Sequence, residues 1–253
     1  MENDDYFEDE EFSPIRSLLG LLTFSTILPI RVYTSIEYMT KLTWCWPFLH
    51  LFIGALAAAC GYVCLNFLHL NSFFTAVIVY AFLMLITGYN HLDGVMVHGE
   101  PERKIMVMKD ASVGAGGVAT LFLVASLTIA GLYNILDYNF IFGIVICEMV
   151  AKTSLITTAL LSKPLTPGIG SYFMLETTPT NYLISTIFVC IIAFLLGGVA
   201  GVCGVLGAMV SGIIIAIIAK RNFVLANGDV LGMSNEVGRL FALLFMAIAL
   251  YFF

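Results

Sequence analysis

Long apolar stretches separated by short polar segments run through most of this 253-residue sequence. A helix needs roughly 17–25 mainly apolar residues to cross the hydrocarbon core of a bilayer, and seven stretches approach that length. They are residues 48–68, 73–90, 113–133, 139–161, 182–199, 201–219 and 238–253. Only 11% of all residues are charged, against about 25% in soluble domains. The sequence therefore predicts an all-α, polytopic transmembrane helical bundle with about seven spans and polar loops.

The chain divides into a short acidic tail and one membrane domain. Seven of the 17 acidic residues lie among the first eleven positions, so residues 1–12 are predicted to be a disordered tail. Residues 13–253 are predicted to form a single integral-membrane domain. Segment 17–30 is shorter than a span and ends near Pro29, which suits either an interfacial helix or a re-entrant piece. The basic residues are few and scattered, so we expect no nucleic-acid partner.

The distribution of Lys and Arg predicts the orientation of the bundle. Every second loop carries basic residues: these are loops 91–112, 162–181 and 220–238, with Arg239 counted beside the last one. The loops between them carry none, and Lys152 alone falls inside a span. The positive-inside rule then places the N-terminus and the basic loops in the cytoplasm. Most acidic residues fall on the same side, which favours an enzyme of the cell membrane whose active face is cytoplasmic.

The run His91-Leu92-Asp93-Gly94 closes the second span. A carboxylate such as Asp93 can hold Mg²⁺, which takes few protein carboxylates and shares the phosphates of a substrate. A histidine beside it can act as a general base or as a donor to phosphate. Helix capping at the membrane edge explains the same residues equally well, so the run alone leaves both interpretations open.

Glycines open the third span, directly after Lys109 and Asp110: they are Gly114, Gly116 and Gly117. Free backbone N–H groups at a helix N-terminus can bind a phosphate, and Lys109 with Arg103 would add charge-assisted hydrogen bonds. Residues 102–110 have the pattern of a short amphipathic helix. The alternative is that the glycines ease helix packing within the membrane.

The polar segment before the last span contains Asn227-Gly228-Asp229 and Asn235-Glu236. Asp229 and Glu236 lie seven residues apart, so they share one face if the segment is helical. Two carboxylates on one helical face at the membrane surface suit a site for metal and phosphate. A solvated loop is the competing interpretation.

Glu148 and Lys152 lie within the fourth span. Ionisable groups inside a membrane are costly and usually face a partner or a cavity. Their spacing of four residues permits a helical ion pair with the acid first. Structural pairing and a place on the wall of a substrate cavity both agree with this pattern.

Taken in order, these motifs resemble those of the cobalamin synthase family, the adenosylcobinamide-GDP ribazoletransferases. The resembling runs are His91-Leu92-Asp93-Gly94, Glu102-Arg103-Lys104, Met108-Lys109-Asp110 and Gly114-x-Gly116-Gly117. The segment from Leu21 to Pro29 resembles the opening of that family. Asn227 to Gly232, followed by Asn235-Glu236, resembles its last polar loop. The resemblance covers nearly the whole chain after the acidic tail.

The resemblance implies an activity with defined substrates. The α-ribazole, or its 5′-phosphate, would attack the cobinamide-side phosphate of adenosylcobinamide-GDP, and GMP would leave. It also implies Mg²⁺ as the cofactor and membrane lipid as the surroundings of the protein. Whether the protein forms a homo-oligomer stays open. The residues implied for Mg²⁺ or the incoming hydroxyl are Asp93, Asp110, Asp229 and Glu236. His91 is a candidate base, and Arg103 and the catalytic candidate Lys109 would neutralise the diphosphate. The residues implied for substrate binding are Arg103, Gly114, Gly116, Gly117, Asn227 and Asn235.

One departure from the family pattern and two other functions stay open at this point. In the family, further acids follow the first motif closely, whereas Val95-Met96-Val97 follow it here. If those acids hold metal, this chain is an inactive member. A CDP-alcohol phosphatidyltransferase would need Ala-Arg shortly after Asp-Gly, which residues 95–100 do not offer. A transporter built around Glu148 and Lys152 would often show two similar halves, and we find no clear repeat.

Overall fold

The structure is a computed structural model that describes residues 11–92, 115–164, 168–223 and 226–252. Within these ranges the chain is helical apart from turns and one isolated bridge between Pro164 and Ala226. The helices are α1 (Pro14–Ser25), α2 (Ile36–Thr40), α3 (Trp46–Asn66), α4 (Ser72–Ile86), α5 (Ala115–Asp137), α6 (Phe142–Leu161), α7 (Ile169–Glu176), α8 (Pro179–Phe223) and α9 (Gly228–Phe252). Most of the predicted acidic tail lies outside the described residues.

Five of these helices are long and apolar enough to cross a membrane: α3 with the 3₁₀ turn before it, α5, α6, α8 and α9. Helix α4 is equally apolar but has 15 residues. The prediction of an all-α membrane bundle is therefore confirmed, and the protein is an integral membrane protein. Because α8 contains two of the predicted spans, the bundle has about seven apolar helical segments.

Helix α8 is a hairpin of two helical arms. Gly197 and Gly198 leave the helical conformation, and Gly198 has a φ of 53°, which favours glycine. A straight helix of 45 residues would be about 68 Å long. Yet Tyr182, near its start, lies 3.0 Å from the Thr157 hydroxyl, and Gly212, in the second arm, accepts a bond of 2.9 Å from Thr158. The glycine-rich turn predicted between the fifth and sixth spans is confirmed.

Helix α6 is the centre of the bundle. It packs against α3, α8 and α9, and each residue from Gly143 to Ala159 is buried. Close approach of small residues permits this packing, since a Cβ on Gly54 of α3 would lie 2.9 Å from the backbone of Val145. Glu148 and Lys152 consequently face protein on all sides instead of lipid.

The two ends of the bundle differ in character. At one end lie tight turns, where Phe73 and Tyr133 place their rings 6.3 Å apart and Gly197 approaches Phe140. At the other end lie the start of α3, the end of α4, helix α7 and the start of α9. The described parts of the predicted loops 162–181 and 220–238 lie at this end and the end of α9 lies at the opposite one, while nearly all of loop 91–112 is outside the described residues.

Three expectations about loop boundaries were wrong. Helix α9 begins at Gly228, ten residues before the predicted span, because its polar residues face the bundle interior and lower the apolar signal. Arg239 is for the same reason buried inside the bundle and does not flank a loop. The predicted loop 162–181 contains helix α7. Segment 17–30 lies mostly in α1, a short helix that packs Leu21 into the core.

Candidate active site

A cavity of about 200 Å³ lies at the polar end, where α1, α3, α7 and α9 converge. One part of its wall is aromatic, from Phe24, Trp46 and Phe173. The polar side chains that line it are Ser25, Asn90, His91 and Asp229. Two of the residues singled out in the sequence, His91 and Asp229, thus face the same space although 138 positions separate them in the chain.

Asp229 is held by the first turn of α9. The Asn227 side chain caps the helix: its Oδ1 accepts from the Val230 N–H at 3.1 Å, and its Nδ2 donates to Asp229 Oδ2 at 2.8 Å. The backbone N–H of Ala226 donates to the Lys163 carbonyl at 2.8 Å and fixes the segment before the helix. Asn227 therefore serves to position the Asp229 carboxylate.

His91 is held by contacts with α9 and α1. A Cβ on Gly232 would lie 3.1 Å from the His91 carbonyl oxygen, so the backbone there passes close to α9. The neighbouring Asn90 donates from Nδ2 to the Phe24 carbonyl at 3.2 Å, and the Ile27 N–H donates to the Ile86 carbonyl at 2.9 Å. These bonds tie the end of α1 to the end of α4 and fix one wall of the cavity.

The imidazole of His91 meets a lysine from the centre of the bundle. Lys152 Nζ lies 2.9 Å from His91 Nε2, and the same ammonium lies 5.1 Å from the centre of the Trp46 ring. With Lys152 as the donor, Nε2 accepts and Nδ1 carries the imidazole proton. Burial and the Lys152 charge hold the pKa of His91 well below its usual value, so the ring is neutral near pH 7. His91 is thereby offered to the cavity as a hydrogen-bond donor more readily than as a base.

A buried ion network lies beneath the cavity. Glu148 Oε2 accepts from Arg239 Nε at 2.9 Å and lies 2.8 Å from Arg239 Nη2, while His50 Nδ1 donates to Glu148 Oε1 at 2.8 Å. Arg239 also pairs with Glu236, whose other oxygen accepts from Asn235 Nδ2 at 3.0 Å. His50 Nε2 lies 3.2 Å from the hydroxyl of Ser25, which lines the cavity. The network thus joins α3, α6 and α9 directly to the cavity wall.

The predicted site residues fall into three groups. His91, Asn227 and Asp229 come together at the cavity. Asn235 and Glu236 lie in the ion network, where both oxygens of Glu236 are occupied by protein donors. Gly116 and Gly117 lie in the first turn of α5, away from the residues that line the cavity. The remainder lie outside the described residues: Asp93, Arg103, Lys109, Asp110 and Gly114.

Several members of the site were not found by sequence reasoning. A signal existed for His50 and Arg239, because ionisable residues in apolar helices mark functional or paired positions. Arg239 also follows Glu236 by three positions, the spacing of a helical ion pair. No comparable signal existed for Trp46 or Phe173, because an aromatic residue near a membrane surface is commonplace.

The acids present can be tested against a Mg²⁺ site. Within the described ranges, no group of three or more His, Cys, Asp or Glu side chains could hold a metal ion. Asp229 is a hard oxygen donor on the cavity wall, as Mg²⁺ prefers. Glu236 is engaged by Arg239 and Asn235 and is a poor candidate. Among the described residues, Asp229 is therefore the carboxylate on the cavity wall that fits such a site.

Comparison with known proteins gives one consistent result. The profile of the cobalamin-5-phosphate synthase family matches residues 17–247. A protein of Methanococcoides burtonii named adenosylcobinamide-GDP ribazoletransferase is 30% identical over 93% of this chain and 92% of its own length. Proteins of the same name from Methanosarcina barkeri and Archaeoglobus fulgidus are 33% and 29% identical, over 69% and 87% of this chain and 71% and 92% of their own lengths. No solved structure matches the chain.

Proposed function

Because the chain belongs to the cobalamin-5-phosphate synthase family, we propose that it is an adenosylcobinamide-GDP ribazoletransferase. Its substrates are then adenosylcobinamide-GDP and α-ribazole or α-ribazole 5′-phosphate. Relatives that carry this name align with more than nine tenths of the chain. The names favour this transferase over the CDP-alcohol phosphatidyltransferase, which residues 95–100 already made a poor match.

The observation that carries the proposal is the meeting of His91 and Asp229 at one cavity on the polar end of the bundle. In the reaction a hydroxyl of α-ribazole forms a bond to the phosphorus on the cobinamide side. The bond from that phosphorus to the oxygen bridging the two phosphates breaks, and GMP leaves with that oxygen. The hydroxyl proton is released to solvent water. His91 Nδ1 donates to an oxygen of the substrate and holds it in position.

Magnesium is the cofactor that we propose for this site. Asp229 would hold it together with Asp93 and Asp110, which the sequence places in the same family motifs. When bound, Mg²⁺ supplies positive charge that offsets the charge of the diphosphate. We assign Glu236 a different task, because its carboxylate anchors Arg239 in the buried network.

We further propose that the protein resides in the cell membrane with its polar end in the cytoplasm. The basic residues described at that end support this orientation, since Lys41, Lys163, Lys220 and Arg221 all lie near it. Adenosylcobinamide-GDP is large and charged, so a site that opens to the cytoplasm reaches it without transport. Membrane lipid surrounds the apolar helices.

The test is release of GMP by purified protein in detergent with adenosylcobinamide-GDP, α-ribazole and Mg²⁺. We expect GMP from the wild-type chain and none from Asp229→Asn. Asp137→Asn is the matched control, since Asp137 is exposed at the opposite end of the bundle. Folded wild-type protein that releases no GMP at any Mg²⁺ concentration would refute the proposal and point to the inactive alternative. Lipid product from CDP-diacylglycerol and an alcohol would instead support the rival transferase.

A further inference from the structure

Two buried hydrogen-bond donors without partners line the cavity, and one of them belongs to its aromatic wall. Trp46 and Phe173 stack with ring centres 4.7 Å apart, and Phe24 lies 5.5 Å from Phe173. Within the part of the chain that the structure describes, Trp46 Nε1 and His91 Nδ1 are buried and have no hydrogen-bond partner. Both residues line the same cavity.

Unpartnered buried donors are costly. A buried polar group without a hydrogen bond destabilises a protein, and the great majority of such groups find a partner. Two such groups at one cavity therefore mark a place where a ligand supplies acceptors. The stacked rings beside them favour a flat aromatic ligand, since aromatic faces attract one another.

The size of the cavity limits what can enter. Its volume of about 200 Å³ is below the range of roughly 300–1,000 Å³ typical of pockets for drug-sized ligands. A corrin ring is far too large for such a space, whereas one flat bicyclic ring is not. The cavity is therefore suited to a base and not to the body of the cobinamide.

We propose that this cavity binds the base of α-ribazole, a planar heteroaromatic ring with one free ring nitrogen that accepts a hydrogen bond. The assignment rests on the proposed function, which supplies that substrate. One of the two donors bonds the ring nitrogen, and the other bonds an oxygen of the attached ribose. The ribose then lies toward Asp229, the carboxylate on the same wall.

Guanine is the other base in the reaction, and it suits the cavity less well. The edge of guanine carries N–H groups, which need acceptors, and also acceptor atoms, which need donors. The side chains on the cavity wall that can accept such a bond are Ser25, Asn90 and Asp229, the last of which the proposed reaction uses, while Leu155, Ile169 and Leu231 are apolar. A base with apolar edges and one acceptor leaves fewer polar groups unpaired in this setting.

The sequence offers a direct reporter, because Trp44 and Trp46 are its only tryptophans. In Trp44→Phe, all tryptophan fluorescence comes from Trp46. We expect α-ribazole, added without the second substrate, to quench this fluorescence in a saturable manner, while guanosine has little effect. The matched control is Trp46→Phe, in which Trp44 remains outside the cavity and its fluorescence should not respond.

A second measurement separates hydrogen bonding from aromatic contact. Trp46→Phe keeps a ring but removes the indole N–H, and we expect the Kd of α-ribazole, measured by calorimetry, to rise about tenfold. An unchanged Kd, or equal quenching of Trp46 by guanosine, would overturn the inference. So would unquenched Trp46 in a protein that still releases GMP, in which case the proposed function stands. Quenching without GMP release would support the base site and count against the transferase activity.

Discussion

Lys152 Nζ lies 2.9 Å from His91 Nε2, so a cation of the central helix fixes the orientation of the imidazole at the cavity. Lys152 itself is fully buried. It therefore acts on substrate through the cavity residues that it contacts, His91 and Trp46, and we regard it as a positioning residue. Its ammonium also decides which nitrogen of His91 is left to donate toward the cavity.

Replacing Lys152 tests this relationship. In Lys152→Met the imidazole loses a charge-assisted bond worth about 1.5–3 kcal/mol, so we expect kcat for GMP release to fall about tenfold to a hundredfold. Lys152→Arg keeps the charge and should recover part of that loss. The exposed Lys220→Met serves as control and should retain full activity. An unchanged kcat in folded Lys152→Met would remove the positioning role.

The buried pair between Glu148 and Arg239 should behave as a unit. Arg239→Met leaves two carboxylates buried without their cation, which should lower the free energy of unfolding by about 3–5 kcal/mol. Adding Glu148→Gln to that variant removes one of the two uncompensated charges. We therefore expect the double variant to be less destabilised than the sum of the single ones, as measured by denaturant titration in mixed micelles. Strict additivity would show that the two side chains do not interact.

Two glycines near the start of α7 provide a matched test of the cavity wall. A Cβ on Gly170 would lie 2.6 Å from the backbone nitrogen of Gly228, whereas one on Gly168 would meet nothing within 4 Å. Gly170→Ala must therefore push α7 away from the start of α9 and displace Asp229. We expect it to lose at least tenfold in kcat/KM, while Gly168→Ala stays close to wild type. Equal activity of both variants would show that the wall tolerates this shift.

Removal of the metal should act through Asp229. We expect a chelator to abolish GMP release and added Mg²⁺ to restore it. Mg²⁺ should also raise the unfolding temperature of the wild-type protein, because a ligand that binds the folded state stabilises it. Asp229→Asn should show little of this rise, and Asp137→Asn should show all of it. Full stabilisation of Asp229→Asn by Mg²⁺ would place the metal elsewhere.

The orientation in the membrane can be tested with single cysteines. In a chain with its six native cysteines replaced, we expect Gly168→Cys to react with a membrane-impermeant maleimide only after the cells are opened. Asp137→Cys lies at the opposite end, in the last turn of α5, and should react in intact cells. The reverse pattern would place the polar end outside the cytoplasm.

The sequence predicted the helices better than it predicted the site. Apolar length alone placed the long helices to within a few residues, because a lipid solvent leaves the backbone few choices other than a helix. It failed for α9, where the inward-facing polar residues from Asp229 to Arg239 interrupt the apolar run. An average of hydropathy over consecutive residues does not reveal a helix whose polar face packs against protein.

The sequence predicted a site residue only where that residue belongs to a recognisable motif. His91 and Asp229 stand in short polar motifs and were found. Glu148 and Lys152 were recognised as important, but their partners are Arg239 and His91, which come from helices distant in sequence. The aromatic wall forms because Phe24, Trp46 and Phe173 meet in space. The spacing of these residues in the sequence does not predict that contact.

The ion network has a consequence for the biosynthesis of the protein. Glu148 is made 91 residues before Arg239, so α6 leaves the ribosome long before its counter-ion exists. An unpaired charge at the centre of a helix costs about 2.5–3.5 kcal/mol on insertion by the translocon. We therefore expect α6 to be retained at the translocon, or Glu148 to pair with His50 of α3, until α9 has been synthesised. Deleting α9 should leave a nascent chain that is degraded and not stably inserted.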